Sequence, residues 1–424
     1  MHNNQVHSEG VTENNEPQKW WHRRWVVIAG ISFIFLIIIA VILSLLLKFV
    51  ILVPKGSETI NTTDALPSST TTEATPISTR PLLTTTTTTN RQSGWLNTGS
   101  MNYARRQHKA SVLASGKVLV TGGYDGPPLE SAELYDPSTE IWTVTNSMNY
   151  ARRDHISVLI NGKVLVAGGG CDMNTRFDSA ELYDPATETW TVIDSMKHAR
   201  AFHTASILTD EKVLVIGGVG SSGLLNIVEL YDPSTETWAV IDSMKHARGY
   251  HTSSILKNGK VLVTGGLGGK IALNSVELYD PLTETWTTID SMNHARTSHT
   301  ASLLKNGKVL VTGGSNLSHD LNSAELYNPL TETWTTTGSM NNARASHTAS
   351  LLTDGKVLVT GSNTAGFHMS AELYDPSTEI WTVTDSMNHG RGHHTASILK
   401  NGKVLVTGGA QDNKASNTAE LYYD

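Results

Sequence analysis

The sequence contains a single cysteine, Cys171, among its 424 residues. One thiol cannot form an intramolecular disulfide or a cysteine-based zinc site, so packing and backbone pairing must hold the fold. The chain also lacks an excess of basic residues, because 32 Lys and Arg face 39 Asp and Glu and give a formal net charge of −7. Proteins that bind phosphate backbones need clustered Lys and Arg. The composition therefore argues against a nucleic-acid partner.

One long run without charge, WVVIAGISFIFLIIIAVILSLLL, occupies residues 25–47. A helix of this length, at about 1.5 Å per residue, crosses a hydrocarbon core of roughly 30 Å. The run is too long for the core of a signal peptide, and no cleavage site of small residues follows it. The excess of basic residues before the run favours a cytoplasmic N-terminus. We expect a cytoplasmic tail at residues 1–24 and a transmembrane signal-anchor helix at residues 25–47, through which the protein contacts the membrane.

The segment after this run is rich in small hydroxyl residues. Residues 54–94 contain 14 Thr, 5 Ser and 4 Pro, a composition that cannot bury a core and is typical of an O-glycosylated stalk. Asn61 and Asn316 each begin an N-x-S/T glycosylation sequon. We therefore predict a stalk at residues 48–94 and a single-pass type II membrane glycoprotein whose remaining part is extracellular or lumenal.

Residues 95–424 contain one unit that recurs seven times. The triplet E-L-Y repeats every 48 residues, with one step of 47, and begins at Glu133, Glu181, Glu229, Glu277, Glu325, Glu372 and Glu420. A K-V-L-V run precedes a Gly-Gly pair in every copy except the sixth, which has Gly361-Ser362. Trp recurs at positions 95, 142, 190, 238, 286, 334 and 381. A fixed period near 50 residues is typical of a repeat protein.

Each unit reads as four short strands. The first is H-T-A-S-L-L, and the dipeptide N-G predicts a two-residue hairpin into K-V-L-V-T-G-G. A variable loop leads to S-A-E-L-Y, and the turn D-P-x-T-E-T leads to W-T-x-x. Seven such sheets arranged radially bury both of their faces. The seventh unit ends before its Trp strand, and WLNTGSM at 95–101 aligns with WTTTGSM at 334–340. We predict an all-β, seven-bladed β-propeller at residues 95–424, closed by an N-terminal outer strand.

Gly-Gly after an apolar strand, followed by Tyr and Trp at this period, resembles the kelch repeat, and the resemblance implies a β-propeller. Some kelch propellers are similar to galactose oxidase, a copper enzyme with a Tyr–Cys crosslink, a second Tyr and two His ligands. Here Cys171 lies in one variable loop, and no Tyr and His set stands apart from the repeat. That copper site is not matched, so we expect no cofactor, no metal site and no catalytic residue.

Two polar residues recur three positions apart in every unit. The histidines are His108, His155, His203, His251, His299, His347 and His394. The arginines are Arg105, Arg152, Arg200, Arg248, Arg296, Arg344 and Arg391. One interpretation is a ring of metal ligands or a cationic pore. The favoured interpretation is that each His and Arg completes hydrogen bonds within its own blade, and we hypothesise that the Glu of E-L-Y pairs with the Arg.

Function is expected where the copies differ, because variable loops on a rigid scaffold are where binding sites form. The loops between strands two and three share one face with the crossings between blades. On these loops and crossings, exposed aromatic residues could stack on a sugar ring or anchor a protein. The candidate ligand-binding residues are Tyr124, Asp125, Asp172, Arg176, Phe177, Phe202, Tyr250, Lys270, His319, Asp320, Phe367, His368, His393 and Asp412.

The sequence favours a binding module that recognises a glycan or a protein ligand through these loops. Two alternatives remain open. The first is an oxidase or a glycan-modifying enzyme on a galactose oxidase-like propeller. The second is an intracellular protein-interaction scaffold, which requires the opposite membrane orientation.

Overall fold

The computed structural model describes residues 94–423, apart from Met173 and Phe367. The predicted tail, transmembrane helix and sequon at Asn61 lie outside the described residues, as does nearly all of the predicted stalk. Within the described part of the chain, no helix is long and apolar enough to span a membrane. Every regular element there is a β-strand.

Seven four-stranded antiparallel sheets, the blades, follow one another along the chain. The first blade contains β2 (Lys109–Val112), β3 (Val118–Thr121), β4 (Ala132–Asp136) and β5 (Ile141–Thr145). The second contains β6 (Ile156–Ile160), β7 (Lys163–Ala167), β8 (Ala180–Asp184) and β9 (Thr189–Ile193). The third contains β10 (Thr204–Ile207), β11 (Val213–Ile216), β14 (Val228–Asp232) and β15 (Thr237–Ile241), with a short ribbon of β12 (Val219–Gly220) and β13 (Gly223–Leu224).

The next three blades repeat the same order. The fourth contains β16 (Thr252–Ile255), β17 (Val261–Thr264), β20 (Val276–Asp280) and β21 (Thr285–Ile289), with a ribbon of β18 (Leu267–Gly268) and β19 (Ile271–Ala272). The fifth contains β22 (Thr300–Leu303), β23 (Val309–Thr312), β24 (Ala324–Asn328) and β25 (Thr333–Thr337). The sixth contains β26 (Thr348–Leu351), β27 (Val357–Thr360), β28 (Ala371–Asp375) and β29 (Ile380–Val383).

The seventh blade joins the two ends of the propeller. It contains β30 (Thr395–Ile398), β31 (Val404–Thr407), β34 (Ala419–Tyr423) and β1 (Gly94–Asn97), with a ribbon of β32 (Ala410–Gln411) and β33 (Lys414–Ala415). In the antiparallel register of β1 and β34, Trp95 lies opposite Tyr422. The first strands of neighbouring blades contact one another around a full circle. The predicted seven-bladed propeller, closed by its N-terminal outer strand, is confirmed.

The outer strands join each blade to the one before it. In all seven blades the Trp indole N–H donates to a backbone carbonyl of the preceding blade at 2.7–2.9 Å. Trp95 makes this bond to Asp385 of the sixth blade. The closing strand therefore takes the same place as every other fourth strand.

The second strand of each blade is buried on both faces because it packs between two neighbours. Leu119 of β3 belongs to the core cluster shared with the second blade. Val118 and Val120, on the opposite face, belong to the cluster shared with the seventh blade. Seven clusters of this kind, one between each pair of neighbours, form the core. This arrangement explains why K-V-L-V is apolar without alternation.

The Gly-Gly pair is required by a close approach between blades. Gly122 has φ of +58°, and a Cβ there would lie 2.3 Å from the carbonyl oxygen of Arg152 in the next blade. The N–H of Gly123 donates to that same carbonyl at 2.9 Å. A side chain would separate the blades, so glycine is fixed by both conformation and space.

The predicted two-residue N-G turn is present only in the second blade among the seven described, where Ile160 pairs with Lys163 around Asn161-Gly162. In the fifth blade the N–H of Leu304 donates to the carbonyl of Lys308 across a three-residue loop. The second blade is one residue shorter between its His and Gly-Gly. Loop length, rather than the dipeptide, selects the turn.

The repeated Arg and Glu form buried ion pairs, as hypothesised. In all seven blades Arg Nη2 lies 2.6–2.8 Å from Glu Oε1, with both side chains almost fully buried. The same Glu accepts backbone N–H groups from the crossing that enters its blade, for example from Asn293 onto Glu325 at 2.7 Å. Each pair therefore fixes the crossing to the third strand.

The expectation of hydrogen bonds within one blade is wrong for the repeated His. The Nε2 of His299 bonds to Thr252 and Thr264 of the preceding blade at 3.0 and 2.9 Å. Six of the seven histidines make such a contact. Burial lowers the pKa of these side chains, to about 3 for His251. The histidines therefore join neighbouring blades as neutral imidazoles.

Candidate ligand site at the channel mouth

The variable loops and the crossings between blades share one face, and the N-G and D-P turns lie on the other, as predicted. At the centre of the variable face, seven residues form a closed ring of backbone hydrogen bonds around the channel. Each N–H donates to the carbonyl of the previous member at 2.9–3.2 Å. We call this ring the collar; its members are Gln107, Asp154, Phe202, Tyr250, Ser298, Ser346 and His393.

All seven collar residues adopt left-handed backbone conformations, with φ between +53° and +57°. None is glycine, and such conformations are uncommon for other residues. The ring of hydrogen bonds compensates for the local cost. The collar is therefore fixed by the backbone, so its side chains are free to differ between blades.

The channel beneath the collar is a cavity of about 470 Å³. The first strands of the blades line it mostly with small and hydroxyl residues, together with Ile156, Val158 and five of the repeated histidines. One lysine, Lys109, is also part of this wall. The cavity is large enough for several water molecules or a small ligand.

The collar is polar and small on one side and is charged and aromatic on the other. The fifth and sixth blades contribute Ser298 and Ser346, preceded by Thr297 and Ala345. The first and second blades contribute Gln107 and Asp154, each preceded by an arginine, while the third and fourth contribute Phe202 and Tyr250. In six blades the residue preceding the collar member forms a bridge with the start of the variable loop in its own blade, as Arg106 pairs with Tyr124. In the sixth blade the N–H of Asn363 donates to the carbonyl of Ala345 at 2.9 Å.

Arginine and aromatic side chains pack together on the charged side. The guanidinium of Arg153 lies 4.6 Å from the ring centre of Tyr124, and that of Arg106 lies 5.3 Å from it. Phe202 and Tyr250 stack with ring centres 4.1 Å apart. We call this group the arginine–aromatic sector; it contains Arg106, Tyr124, Arg153, Arg176, Phe202 and Tyr250.

Asp154 is the carboxylate at the centre of this sector. Burial raises its pKa to about 7, although Arg153, Lys109, Arg176 and Arg106 all act to lower it. The Arg153 Nε lies 3.9 Å from the Asp154 carboxylate. Asp154 therefore changes its charge near neutral pH, beside several fixed positive charges.

Two pockets flank the sector and bring several predicted residues together. The first, of about 100 Å³, is lined by Arg153, Asp154, Gly170, Asp172, Arg176, Ala201, Phe202 and Tyr250. The second, of about 380 Å³, is lined by Arg106, Tyr124, Asp125, Gly126, Asp412, Asn413, Lys414 and Ala415. Of the predicted residues, Asp172, Arg176, Phe202 and Tyr250 share the first pocket, and Tyr124, Asp125 and Asp412 share the second.

The other predicted residues lie elsewhere on the same face. His393 is a collar member, and burial lowers its pKa to about 4 with a smaller effect from Arg106. His368 lies beside the Ser362 carbonyl, with Nδ1 2.8 Å from that oxygen. Asp320 accepts a hydrogen bond from Thr364 of the next blade at 2.5 Å. Lys270 and His319 are exposed on separate loops and join neither pocket.

Two structural details qualify the aromatic candidates. Tyr124, Phe177, Phe202 and Tyr250 are half-buried, so the expectation of exposed rings is wrong for them. Phe177 packs beside Tyr150 at the base of its loop, with ring centres 6.2 Å apart. Its backbone is held there, because its N–H donates to the carbonyl of Gly169 and its carbonyl accepts from the N–H of Arg200. Phe367 lies outside the described residues.

Comparison with known proteins identifies the fold family. Residues 150–306 and 245–409 match the model described as the KLHDC2/KLHL20/DRC7 Kelch-repeats domain, and residues 105–149 match the Kelch motif. The chain belongs to the kelch-repeat family. No curated protein matches the sequence of this kelch propeller.

Solved structures share the fold of this kelch propeller. A fungal alcohol oxidase of the AA5 family, in complex with copper, is 18% identical over 78% of this chain and 76% of its own, with a TM-score of 0.63. The protein YjhT is 16% identical over 68% of this chain and 99% of its own, with a TM-score of 0.54. At these identities the likeness concerns the fold alone.

Sequence reasoning missed four residues of the kelch propeller's channel mouth and one of its channel wall. Arg106, Gln107, Arg153 and Asp154 occupy the variable pair between the repeated Arg and His, and Lys109 follows the His of the first blade. The same pair led to Phe202, Tyr250 and His393 in other copies. A column-by-column comparison of all seven units would have marked these positions.

Proposed function

We propose that the kelch propeller is a binding module whose protein ligand docks on the collar and the arginine–aromatic sector. The observation that carries this proposal is the asymmetry of the collar on an otherwise repetitive scaffold. Arg and aromatic residues are enriched at the centres of protein interfaces. The opposite face carries turns that differ little between blades.

A protein ligand accounts for the packing of the aromatic rings better than a glycan. Sugar recognition by stacking needs an open ring face. Phe202 and Tyr250 cover one face of each other at 4.1 Å, and two guanidinium groups lie over Tyr124. These rings present edges, a hydroxyl group and charged neighbours, which suit a polypeptide surface. Glycan recognition is the other outcome that the test below distinguishes.

The enzyme alternative rests on the similarity in fold to the fungal alcohol oxidase. A copper site needs several nitrogen, sulfur or oxygen donors that converge. Within the described residues, no three His, Cys, Asp or Glu side chains are grouped to hold a metal ion. Cys171 lies at a loop, where its thiol contacts Asp172 at 3.8 Å. The described side chains therefore do not fit a copper site.

The proposed setting is the outer surface of a membrane. It is supported by the uncharged run at 25–47, the hydroxyl-rich segment at 48–94 and the sequons at Asn61 and Asn316. In this proposal residues 1–24 are cytoplasmic, and the propeller is extracellular or lumenal. A decrease in mass on endoglycosidase treatment of the cell-made protein would support it. A protein without glycans whose propeller is digested only in opened cells would instead favour the intracellular scaffold.

The docking proposal is tested by presenting the full-length protein, in detergent micelles, to a displayed peptide library and to a glycan array. The double variant Phe202→Ser and Tyr250→Ser gives two blades the collar residue of the fifth and sixth blades, so the backbone ring is preserved. The control Leu282→Ser changes a side chain that is 92% exposed on the opposite face. Ser already occupies that turn position in three other blades, as Ser138, Ser234 and Ser377.

Docking at the collar predicts peptides that bind the wild-type and Leu282→Ser proteins and are lost from the double variant. Glycans that bind the wild-type and Leu282→Ser proteins but not the double variant would show that the ligand of this site is a glycan. Peptides that bind all three proteins equally would contradict docking at the collar. Copper-dependent release of peroxide from alcohols would support the enzyme alternative.

A further inference from the structure

The channel wall has one charged residue at a position that is otherwise neutral. In five blades the residue after the repeated His is Thr, and each of these hydroxyls bonds to the His of the next blade at 3.0–3.1 Å. The second blade has Ile156 at this position, and the first blade has Lys109. Lys109 therefore occupies a position at which most blades have a small hydroxyl residue.

Lys109 is not needed for the contact that the repeat makes at this position. The histidine that faces it, His155, is still held by Thr121 of the second strand at 2.9 Å. The interface between the first two blades is therefore complete without a contribution from the lysine side chain. A role for its ammonium group must be sought in the channel.

Within the described part of the chain, the ammonium group of Lys109 lacks a close counter-ion. Among the described residues no carboxylate lies within the 4.0 Å that defines an ion pair with it. The described residues that line the channel include no Asp or Glu, and burial lowers the pKa of its five histidines, which are therefore neutral at pH 7. Burial lowers the pKa of Lys109, and Asp154 opposes this effect. A partly buried positive charge in a polar cavity attracts an anion.

We propose that the channel of this propeller is a binding site for a small oxyanion, of the carboxylate or sulfate class, held by the ammonium group of Lys109. The cavity of about 470 Å³ has room for such an ion with part of its water shell. The hydroxyls of Thr252, Thr300, Thr348 and Thr395 line the same wall. The site lies below the collar and does not depend on a protein ligand docking there.

Asp154 lies beside the site, because its N–H donates to the carbonyl of Gln107 at 3.1 Å, two residues before Lys109. Its carboxylate is therefore the negative charge that acts on Lys109 from the channel mouth. The groups that face Asp154 are Arg153, Arg176, Arg106, Lys109 and Tyr250. Asp154 carries its charge above its pKa of about 7 and competes with an incoming anion. Below that pH it is neutral, so the bound anion meets positive charge without a competitor. Anion binding therefore tightens on acidification.

The test is a calorimetric titration of inorganic sulfate into the full-length protein in detergent micelles, at constant ionic strength and at about pH 6 and about pH 8. Sulfate keeps its charge over this range, so a pH effect belongs to the protein. Lys109→Thr installs the residue found in five other blades and preserves the fold. Lys117→Thr removes a lysine that is 43% exposed on the opposite face and serves as the matched control.

We expect the wild type to bind sulfate saturably. Lys109→Thr should weaken the affinity about tenfold or more, which corresponds to about 1.4 kcal/mol, and Lys117→Thr should leave the affinity unchanged. Asp154→Asn is expected to bind at about pH 8 as tightly as the wild type does at about pH 6. Equal binding by wild type and Lys109→Thr, or no saturable binding by the wild type at either pH, would overturn the site. An Asp154→Asn protein that keeps the pH dependence would overturn the role of Asp154.

Discussion

Replacement of Glu325 by Gln is expected to destabilise the propeller strongly while leaving its shape nearly unchanged. The Glu325 carboxylate accepts the Asn293 N–H at 2.7 Å, the Asn293 side-chain amide at 2.8 Å and the His294 N–H at 3.1 Å. It also pairs with Arg296 at 2.8 Å, and the exposed fraction of both side chains is 0%. Gln has the same length but no charge, so Arg296 would be left buried without a counter-ion.

The expected loss is about 3–5 kcal/mol in the free energy of unfolding, which is the usual cost of removing one partner from a buried ion pair. The effect also depends on pH in a defined direction. Burial tends to raise the pKa of Glu325, but hydrogen bonds from Asn293 and the pairing with Arg296 outweigh it, and the pKa is lowered. The stabilisation is therefore present above the unfolded pKa of about 4.3 and is lost as pH falls through the folded pKa.

Chemical denaturation of the full-length protein, followed by tryptophan fluorescence at about pH 7 and about pH 3, measures both effects. The control is Glu332→Gln, which removes an exposed carboxylate from the same blade. Glu325→Gln is expected to unfold at a much lower denaturant concentration than the control at neutral pH, and the difference should shrink in acid. A Glu325→Gln protein within about 1 kcal/mol of the control at neutral pH would refute the role assigned to the pair.

Three further predictions concern ring closure, the Gly-Gly approach and the collar. Trp95→Ala removes the indole hydrogen bond of 2.8 Å to the preceding blade and is expected to lower the unfolding free energy by about 2 kcal/mol or more. The control Leu96→Ser changes a side chain that is 48% exposed and is expected to have little effect. Gly265→Ala places a Cβ 2.5 Å from a backbone oxygen of the next blade and should destabilise clearly more than Gly126→Ala, which has a similar positive φ but open space around it. Because the folded pKa of Asp154 is raised to about 7, the contribution of Asp154 to stability should fall as pH rises from about 4 to about 7, by at most about 1.4 kcal/mol per pH unit. The difference in unfolding free energy between the wild type and Asp154→Asn should follow that slope. Equal melting within either pair, or an unchanged pH slope, would count against the corresponding contact.

The fold was predictable because every blade repeats the same chemical pattern. The segment at Trp95 has the sequence of a fourth strand, and it pairs with β34 as the fourth strand of the seventh blade. The turn between the first two strands was less predictable, since N-G occurs in loops of two different lengths. The histidines were misassigned because a one-dimensional repeat does not reveal which blade supplies a partner, and the threonines that hold them belong to the neighbouring unit.

The candidate site was predictable only in its location. The face followed from strand order, and Phe202 and Tyr250 stood out as bulky residues in a variable pair. The collar could not be anticipated, because its members share a left-handed backbone conformation rather than a side-chain type. Asp154 and Lys109 are half-buried, and each acts on the charge of the other. Neither their burial nor their proximity is visible in a sequence that separates them by 45 positions.

The proposed function divides two roles: the repeated residues hold the ring together, and the varied residues of the collar bind the ligand. Hydrogen–deuterium exchange of the full-length protein, with and without a peptide selected on it, tests this division most directly. We expect ligand-induced protection at residues 106–107, 153–154, 201–202 and 249–250, with no change at the turns 257–259 and 305–307 on the opposite face. Protection confined to those turns would contradict it.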